Sequence, residues 1–294
     1  MESCYPFQSS EARARYLEAY DARAALWPLP SENRMVDTSY GQTFIRISGP
    51  LHGQPLVLLH GLAATSLMWI PNIVGWSERY RTYALDTIGD PGRSVAWKRM
   101  ESPADYMRWL DEVLDALQLR AGVHLLGVSY GGWLTSQYAL HAPKRLARVV
   151  LMAPAGTILS LSFSFVARFM LMRTGSSRLL RSNFRWLFAD WRRINPLALD
   201  EFIAAKELER RCMTPLNIVR PTLLTEDQWK SLKNPTLFLV GENEKIYSAR
   251  EAVNRLHRVA PNVRATVIHG VGHDLAVHSG EIGELVLRFL AEEP

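Results

Sequence analysis

The chain has 294 residues, of which 48% are hydrophobic and 21% are charged, and it contains 18 Gly and 16 Pro. This composition excludes a disordered chain, a collagen and a coiled coil, and the length predicts one large domain, or one domain with an insertion. The net charge of +5 is local, because residues 155–212 hold nine Arg and one Lys against five acidic residues. A solvated helix face explains that excess more simply than steering of anionic substrates, and nothing indicates nucleic-acid recognition.

The cysteine content and the ends of the chain bear on the compartment. Cys4 and Cys212 lie 208 positions apart without a Cys-x-x-Cys motif, so the sequence predicts neither a disulfide framework nor a zinc site. The first ten residues lack a basic segment followed by an apolar run, which argues against a secretory signal. The longest apolar stretch, residues 158–172, contains Arg168 and is shorter than the roughly 20 uninterrupted residues that a membrane-spanning helix requires. We therefore expect a cytoplasmic protein without a transmembrane segment.

The predicted elements begin with an N-terminal helix at residues 11–26, where apolar residues recur at helical spacing before Trp27-Pro28. Seven strand-sized runs of branched and large apolar residues follow, at Thr43–Ile47, Leu56–Leu59, Thr82–Leu85, Val123–Leu126, Val149–Met152, Thr236–Val240 and Ala265–Ile268. Helical patterns lie between most of them, at Pro103–Leu119, Gly132–His141, Ala249–Val259 and Glu281–Ala291. This alternation predicts an α/β fold with a mostly parallel central sheet and helices on both faces.

One interval, residues 155–233, interrupts the alternation. It contains no convincing strand, only helical stretches rich in Phe, Leu, Trp and Arg, such as Phe163–Arg173 and Ser177–Trp191. We interpret it as an inserted helical cap beside the carboxyl edge of the sheet, where open α/β folds bind ligands. The expected organisation is an N-terminal helical extension (1–35), an α/β core (36–154 and 234–294) and the cap (155–233).

A serine turn follows the fourth predicted strand. Residues 127–132 read Gly-Val-Ser-Tyr-Gly-Gly and join Val123–Leu126 directly to a helical pattern. In a Gly-x-Ser-x-Gly turn between strand and helix, the Ser adopts strained backbone angles, and the crowding leaves no room for side chains two residues before and after it. This context predicts that Ser129 is a nucleophile exposed at the sheet edge. A Gly-rich turn with an incidental Ser is the alternative.

A serine hydroxyl needs a base to take its proton, so the hypothesis requires a histidine on a loop at the same edge. The chain has eight histidines. His273 lies in Gly-Val-Gly-His-Asp directly after the last predicted strand, where glycines allow a short loop to place the imidazole over the sheet edge. We favour His273 as the base, with His269 and His278 as alternatives.

The third residue must be a carboxylate that orients the histidine and stabilises its protonated form. Residues 116–189 contain neither Asp nor Glu, so no acid follows the strand Val149–Met152. The next strand ends in Gly-Glu-Asn-Glu-Lys, residues 241–245. An acid there gives the chain order Ser, acid, His, which is one of the orders known for Ser-acid-His triads. Glu244 is the better candidate and Glu242 the alternative.

Backbone N–H groups near the serine are candidates for stabilising an oxyanion. The N–H of Tyr130 opens the helix after Ser129, and the strand Leu56–Leu59 leads into His-Gly-Leu-Ala at residues 60–63. A second donor at Leu62 would complete an oxyanion hole with that of Tyr130. We interpret His60 as a structural hydrogen-bonding residue rather than a base.

Taken together, these motifs resemble those of an α/β-hydrolase-fold enzyme of the carboxylesterase type, along nearly the whole chain. The residues that carry the resemblance are His60-Gly61, the turn at 86–89, the turn at Ser129, residues 241–244 and Gly272-His273. The chain is particularly similar to bacterial carboxylesterases that carry an additional N-terminal helix and a glutamate as the triad acid. The resemblance implies Ser129 as nucleophile, His273 as general base, Glu244 as its partner, an acyl-enzyme intermediate, and no cofactor or metal.

The chain departs from the family pattern after the strand Thr82–Leu85. Family members usually show Asp-x-x-Gly-x-Gly-x-Ser there, whereas residues 86–94 are one residue longer and include Asp90-Pro91. We expect this loop to follow a different path. A glutamate in place of the commoner aspartate also requires a slightly different loop around Glu244.

Four aromatic residues are candidates for contact with a substrate, namely Trp69 and Trp133 near the oxyanion elements and Phe163 and Phe165 in the cap. Aromatic residues at helical spacing belong more often to a core than to a pocket. A cap nevertheless has to cover something, and a largely apolar cavity suits an uncharged small-molecule ester with a modest acyl or aryl portion.

Other activities remain open from the sequence. The same three residues would serve to hydrolyse a lactone, an amide or a carbon–carbon bond, and a non-catalytic binding protein on this fold is a further alternative. Dehalogenase and epoxide hydrolase chemistry is excluded because it needs an Asp where Ser129 stands. Nucleic acid is not expected as a partner, and the sequence does not decide between a monomer and a homodimer.

Overall fold

The computed structural model describes residues 5–172 and 175–292, and in these residues nine strands form one sheet. In chain order the strands are β1 (Glu32–Thr38), β2 (Gly41–Ser48), β3 (Gln54–Leu59), β4 (Tyr80–Leu85), β5 (Val95–Ala96), β6 (Val123–Val128), β7 (Leu146–Met152), β8 (Thr236–Gly241) and β9 (Val263–Ile268). Along the sheet they lie in the order β1-β2-β4-β3-β6-β7-β8-β9, with β5 beside β2.

Neighbouring strands are parallel along the path β4-β3-β6-β7-β8-β9 of the sheet. Strand β2 pairs antiparallel with β1, β4 and β5. The predicted α/β fold with a mostly parallel sheet is therefore confirmed, and all seven predicted strands are present. The sequence missed β1 and β5. Five of the seven β1 residues are exposed, so the strand has little apolar pattern, and β5 has only two residues.

The helices, in chain order, are α1 (Ser10–Ala24), α2 (Ile73–Ser77), α3 (Pro103–Ala116), α4 (Tyr130–His141), α5 (Phe163–Met172), α6 (Ser177–Leu187), α7 (Ala189–Ile194), α8 (Pro196–Cys212), α9 (Glu226–Lys230), α10 (Ala249–Val259) and α11 (Glu281–Ala291). Helices α10 and α11 have the predicted bounds. Helix α3 begins at a capping box in which Ser102 and Asp105 satisfy each other's backbone N–H groups, and it ends earlier than the pattern predicted.

The stretch 177–191 is helical as predicted, but it is divided between two helices. The backbone of Phe188, at φ −106° and ψ 47°, leaves the helical region and separates α6 from α7. The preceding stretch, expected at 163–173, is helical as α5 up to Met172, and Arg173 lies outside the described residues.

The core has two parts, one on each face of the sheet. Alternate residues of β3 point to opposite faces, so Val57 and Leu59 pack with α3, α4 and α10, whereas Leu56 and Leu58 pack with α1, α2 and α11. Because β3 lies in the middle of the sheet, its side chains are buried on both faces. The carboxyl ends of the parallel strands lie at one edge of the sheet, between the two cores.

Residues 155–233, which we call the cap, contain the helices α5–α9 in their described part. The cap has a small apolar core of its own around Leu180, Leu199 and Ile203. Helix α1 packs against α8, and a short backbone pairing joins Phe7 to Met213. The N-terminal segment thereby connects the core to the cap. None of the helices in the described residues has both the length and the apolar character needed to cross a membrane.

Candidate active site

Ser129 lies in the turn between β6 and α4, in the strained conformation that the motif predicts. Its φ of 53° and ψ of −113° fall in a region that non-glycine residues rarely occupy. A Cβ on Gly127 would lie 2.2 Å from the carbonyl oxygen of Gly131, and one on Gly131 would lie 2.2 Å from that of Leu59. Both glycines are therefore required by close backbone contacts, and the Ser129 side chain is partly exposed at the sheet edge.

His273 lies in the loop that follows β9, with its ring over the same edge. Its Nε2 is 2.9 Å from the Oγ of Ser129, and the ring of Phe188 stacks on the imidazole with 6.3 Å between ring centres. Only 7% of the His273 surface is exposed. The imidazole is therefore fixed against a cap residue on one side and the serine hydroxyl on the other.

Glu244 follows the end of β8 and binds the other side of the imidazole. Its Oε2 is 2.8 Å from Nδ1 of His273, and its Oε1 accepts hydrogen bonds from the backbone N–H groups of Lys245 and Ile246 at 2.7 and 2.9 Å. The carboxylate side chain is fully buried. Since a carboxylate only accepts, Nδ1 carries the proton and Nε2 is left to accept the proton of the Ser129 hydroxyl.

The environment of His273 changes its basicity. Burial lowers the pKa of the imidazole, but the charge of Glu244, the hydrogen bond to it and the charge of Asp274 outweigh that effect, so the pKa is raised above its usual value. A raised pKa means that His273 accepts a proton from a nearby hydroxyl more readily than a free imidazole does.

The alternative residues lie away from this arrangement. Glu242 accepts a hydrogen bond from the backbone of Gly270 and lies near the largely exposed ring of His269. His278 has its Nε2 3.7 Å from Asp274. The structure thus brings together Ser129, His273 and Glu244, but not the alternatives.

The turn that follows β3 passes beside Ser129. A Cβ on Gly61 would lie 3.6 Å from the Cβ of Ser129, and the N–H of Ala64 closes the turn on the carbonyl of Gly61 at 3.0 Å. His60 stabilises the turn through both ring nitrogens. Its Nε2 accepts a hydrogen bond from the N–H of Thr87 at 2.9 Å, so Nδ1 carries the proton and donates to the Gly61 carbonyl at 2.8 Å. The expected structural role of His60 therefore agrees with these contacts.

The loop after β4, which departs from the family pattern, is organised by Asp86. The Asp86 carboxylate accepts hydrogen bonds from the backbone N–H groups of Ser66 and Arg93, at 2.7 and 2.8 Å, and from the hydroxyl of Tyr20 at 3.0 Å. Gly92 has a φ of 135°, and a Cβ there would lie 2.5 Å from the carboxylate. Asp86 therefore connects this loop to α1 and to the segment after the oxyanion turn.

The four aromatic residues predicted to contact substrate are not among the residues that line the cavity beside His273. Trp69 and Trp133 are fully buried in the two cores, on opposite faces of the sheet. Phe163 is 87% exposed, and Phe165 packs against the edge of the core that contains Trp133. The two tryptophans therefore serve as core residues.

A cavity of about 820 Å³ lies between α1, the segment 64–71, α7, α8 and the loop 273–278. Its wall is mainly apolar and includes His273. The aromatic residues that line it are Tyr16, Tyr20, Phe188, Trp191 and Phe202. The sequence indicated only that these residues lie on helices, because their position depends on how α1 and the cap pack together.

Comparison with known proteins agrees with the fold. Residues 56–284 match the model of the alpha/beta hydrolase family, and the chain belongs to this family. The chain is 35% identical to carboxylesterase YbfK of Bacillus subtilis over 287 residues, which are 97% of this chain and 96% of that protein.

Solved structures agree as well. The crystal structure of carboxylesterase CesB (YbfK) from Bacillus subtilis matches with a TM-score of 0.87 and 34% identity, over 97% of this chain and 100% of that one. The naproxen esterase (carboxylesterase NP) from the same organism has a TM-score of 0.87 and 31% identity, over 96% and 99% of the two chains.

The serine turn is sensitive to a single methyl group. We expect Gly131→Ala to lower the free energy of unfolding by more than about 2 kcal/mol, because the new Cβ would clash with the carbonyl of Leu59. Thermal unfolding measures the change. The matched control is Gly75→Ala in α2, where a Cβ meets nothing within 4 Å, so this variant should be unchanged or more stable by up to about 1 kcal/mol. Equal melting temperatures for the two variants would contradict the steric role of Gly131.

Proposed function

We propose that the protein is a carboxylesterase that hydrolyses an uncharged ester through an acyl-enzyme intermediate formed on Ser129. The observation that carries this proposal is the continuous hydrogen-bond chain from Ser129 through His273 to Glu244. Its two distances, 2.9 and 2.8 Å, are within the range for proton transfer by a positioned base. The similarity to proteins named as carboxylesterases supports the same activity.

In the first half-reaction, the Oγ of Ser129 attacks the ester carbonyl carbon while Nε2 of His273 takes the hydroxyl proton. The carbonyl oxygen becomes an oxyanion, which accepts hydrogen bonds from the backbone N–H groups of Tyr130 and Leu62. Tyr130 suits this role because it opens α4, where the first N–H groups have no carbonyl partner within the helix. The imidazolium then donates its proton to the alcohol oxygen as the C–O bond breaks, and the acyl group remains on Ser129.

In the second half-reaction, a water molecule attacks the acyl carbon. His273 takes one proton from this water and returns it to the Oγ of Ser129 as the acid product leaves, so the enzyme is regenerated. Glu244 remains ionised throughout, and its negative charge stabilises the imidazolium that forms twice in the cycle. Its two backbone hydrogen bonds keep the carboxylate oriented toward Nδ1.

The cavity beside His273 supports an ester with a bulky apolar portion. Its volume of about 820 Å³ exceeds what a short acyl chain fills, and its wall is mainly apolar. The similarity to a protein named as a naproxen esterase points in the same direction, toward an aryl or branched group. We therefore extend the sequence-based expectation of a modest acyl or aryl group to a larger one, bound between α1 and α8.

The proposal also covers the division of the chain into domains and the compartment in which the protein acts. We infer an N-terminal extension at 1–35, a core at 36–154 and 234–294, and a substrate-covering cap at 155–233. We also infer that the protein acts in the cytoplasm on a small molecule. Lactone, amide and carbon–carbon bond hydrolysis would use the same residues, but the names of the similar proteins favour the ester.

The nucleophile is tested with Ser129→Ala. This variant should lose hydrolysis of aryl esters by on the order of 10³-fold or more, because no oxygen is left to form the acyl bond. Steady-state kinetics with a panel of esters, lactones and amides measures the loss and ranks the substrates. Labelling of the wild-type protein by an organophosphorus probe should disappear in the variant. Persistent labelling at another residue would refute the assignment.

The acid is tested by a matched pair, Glu244→Gln and Glu242→Gln. The first change removes the charge that stabilises the imidazolium, so kcat should fall by on the order of 10³- to 10⁴-fold. The second affects an exposed carboxylate that binds Gly270, and kcat should change less than about threefold. The kcat of both variants on one aryl ester decides the assignment, and the reverse result would transfer the role to Glu242.

The pH dependence follows from His273. The base is active only when it is neutral, so kcat/KM should fall tenfold per pH unit on the acid side, with an apparent pKa above the usual value of ~6.5. In Glu244→Gln, burial acts without the opposing charge, and the apparent pKa should decrease. A pH–rate profile of both proteins measures this. A rate that is constant between pH 5 and 8 would be incompatible with a histidine base.

A further inference from the structure

A cluster of buried ionisable side chains lies behind the turn 61–64, outside the hydrogen-bond chain described above. Lys206 and Glu209 come from α8 in the cap, and their side chains are 10% and 11% exposed. Asp90 comes from the loop that departs from the family pattern, and its side chain is 9% exposed. Charged side chains are rarely buried to this extent unless they are paired, so the cluster calls for an explanation.

Two side chains of the cluster, Lys206 and Asp90, face the backbone of the same residue, Ala63. The Nζ of Lys206 donates a hydrogen bond to the carbonyl oxygen of Ala63, and the carboxyl group of Asp90 lies near the backbone N–H of Ala63. The Nζ of Lys206 also donates to Glu209, which keeps the ammonium in place. The carbonyl group of Ala63 is therefore bound by a side chain of the cap, and its N–H faces a carboxyl group of the core.

Ala63 needs such support because of its backbone conformation. Its φ is 56°, in the left-handed region that residues with a Cβ rarely adopt. A residue persists in this conformation only when its surroundings impose it. The preceding residue is Leu62, whose N–H is the proposed second donor to the oxyanion, so a relaxation of Ala63 would reorient that group.

We propose that Lys206 is a positioning residue that, braced by Glu209 and opposite Asp90, holds Ala63 in its left-handed conformation and thereby aims the Leu62 N–H at the oxyanion. The inference rests on the proposed function, because it assigns a support to the oxyanion hole of the same site. Small errors in the aim of such a donor are costly, since preorganised hydrogen-bond donors contribute most when they need no reorientation during the reaction.

The charges of the cluster are balanced. Burial, followed by the charge of Glu209, raises the pKa of Asp90 to about 8, so Asp90 is largely protonated at neutral pH. Lys206 and Glu209 then form a buried pair of one cation and one anion, whose charges offset each other. Removal of Lys206 alone would leave Glu209 buried without a partner, which is more disruptive than removal of both charges.

The contact between Lys206 and Ala63 also makes the geometry of the oxyanion hole depend on the position of the cap. Lys206 and Glu209 belong to α8, which lines the substrate cavity, whereas Ala63 belongs to the core. The Leu62 donor is therefore correctly aimed only when α8 is seated on the core.

The test compares Lys206→Met and the double variant Lys206→Met/Glu209→Gln with Lys230→Met, a change of an exposed lysine in α9. In the first two, kcat on an aryl ester should fall by on the order of tenfold to a hundredfold, with KM within about threefold of the wild-type value. The affinity for a trifluoromethyl ketone, whose adduct with Ser129 carries an oxyanion, should fall by the same factor as kcat/KM. The double variant provides the result if the single variant does not fold.

Each result of these measurements either supports or contradicts the proposed role of Lys206. Wild-type kcat in the folded double variant would overturn the proposed role of Lys206, and so would a lower kcat with unchanged affinity for the ketone. Lys230→Met should match the wild type in both measurements. Failure of the esterase proposal itself is distinguishable, because in that case Ser129→Ala would retain the activity of the wild-type protein.

Discussion

Close approach of backbone segments at the carboxyl edge of the sheet is the constraint on which the site depends. At three points a Cβ in place of a glycine hydrogen would lie 2.2 Å from a carbonyl oxygen: Gly127 against Gly131, Gly131 against Leu59, and Gly241 against Val271. These contacts bring the ends of β3, β6 and β8 and the loop after β9 closer together than side chains would permit. The hydroxyl, imidazole and carboxylate consequently reach hydrogen-bond distance from three separate loops.

The cap is fastened to this edge at the loops that carry the acid and the base. Helix α7 donates a backbone hydrogen bond to Asp274, and its Asp190 accepts one from Asn243 at 3.0 Å. Just before α7, the ring of Phe188 stacks on His273. The seating of the cap and the orientation of the imidazole are therefore coupled. The same helices form one wall of the cavity, so substrate enclosure and base orientation depend on the same contacts.

Much of the candidate site could be predicted because its signals are local or depend only on chain order. The glycines around Ser129 mark a crowded turn, and residues 116–189 contain no acid, which directs attention to the end of β8. The carboxyl ends of parallel strands meet at one edge, so side chains that follow different strands come together there. The bounds of α10 and α11 were also predictable, since each carries a regular apolar stripe that faces the sheet.

The sequence by itself determined the alternation of strands and helices and predicted Ser129 and His273 at the sheet edge. The position of Glu244 rather than Glu242 against His273 is seen only in the tertiary structure. Only the tertiary structure decided which aromatic residues face the cavity, because a helical pattern does not distinguish a core partner such as Trp133 from a cavity wall such as Trp191. The contact between Lys206 and Ala63 could not be predicted from the sequence either, because it joins residues 143 positions apart. Such contacts depend on how α1 and α8 pack over the core, and packing between distant segments leaves no periodic trace in the sequence.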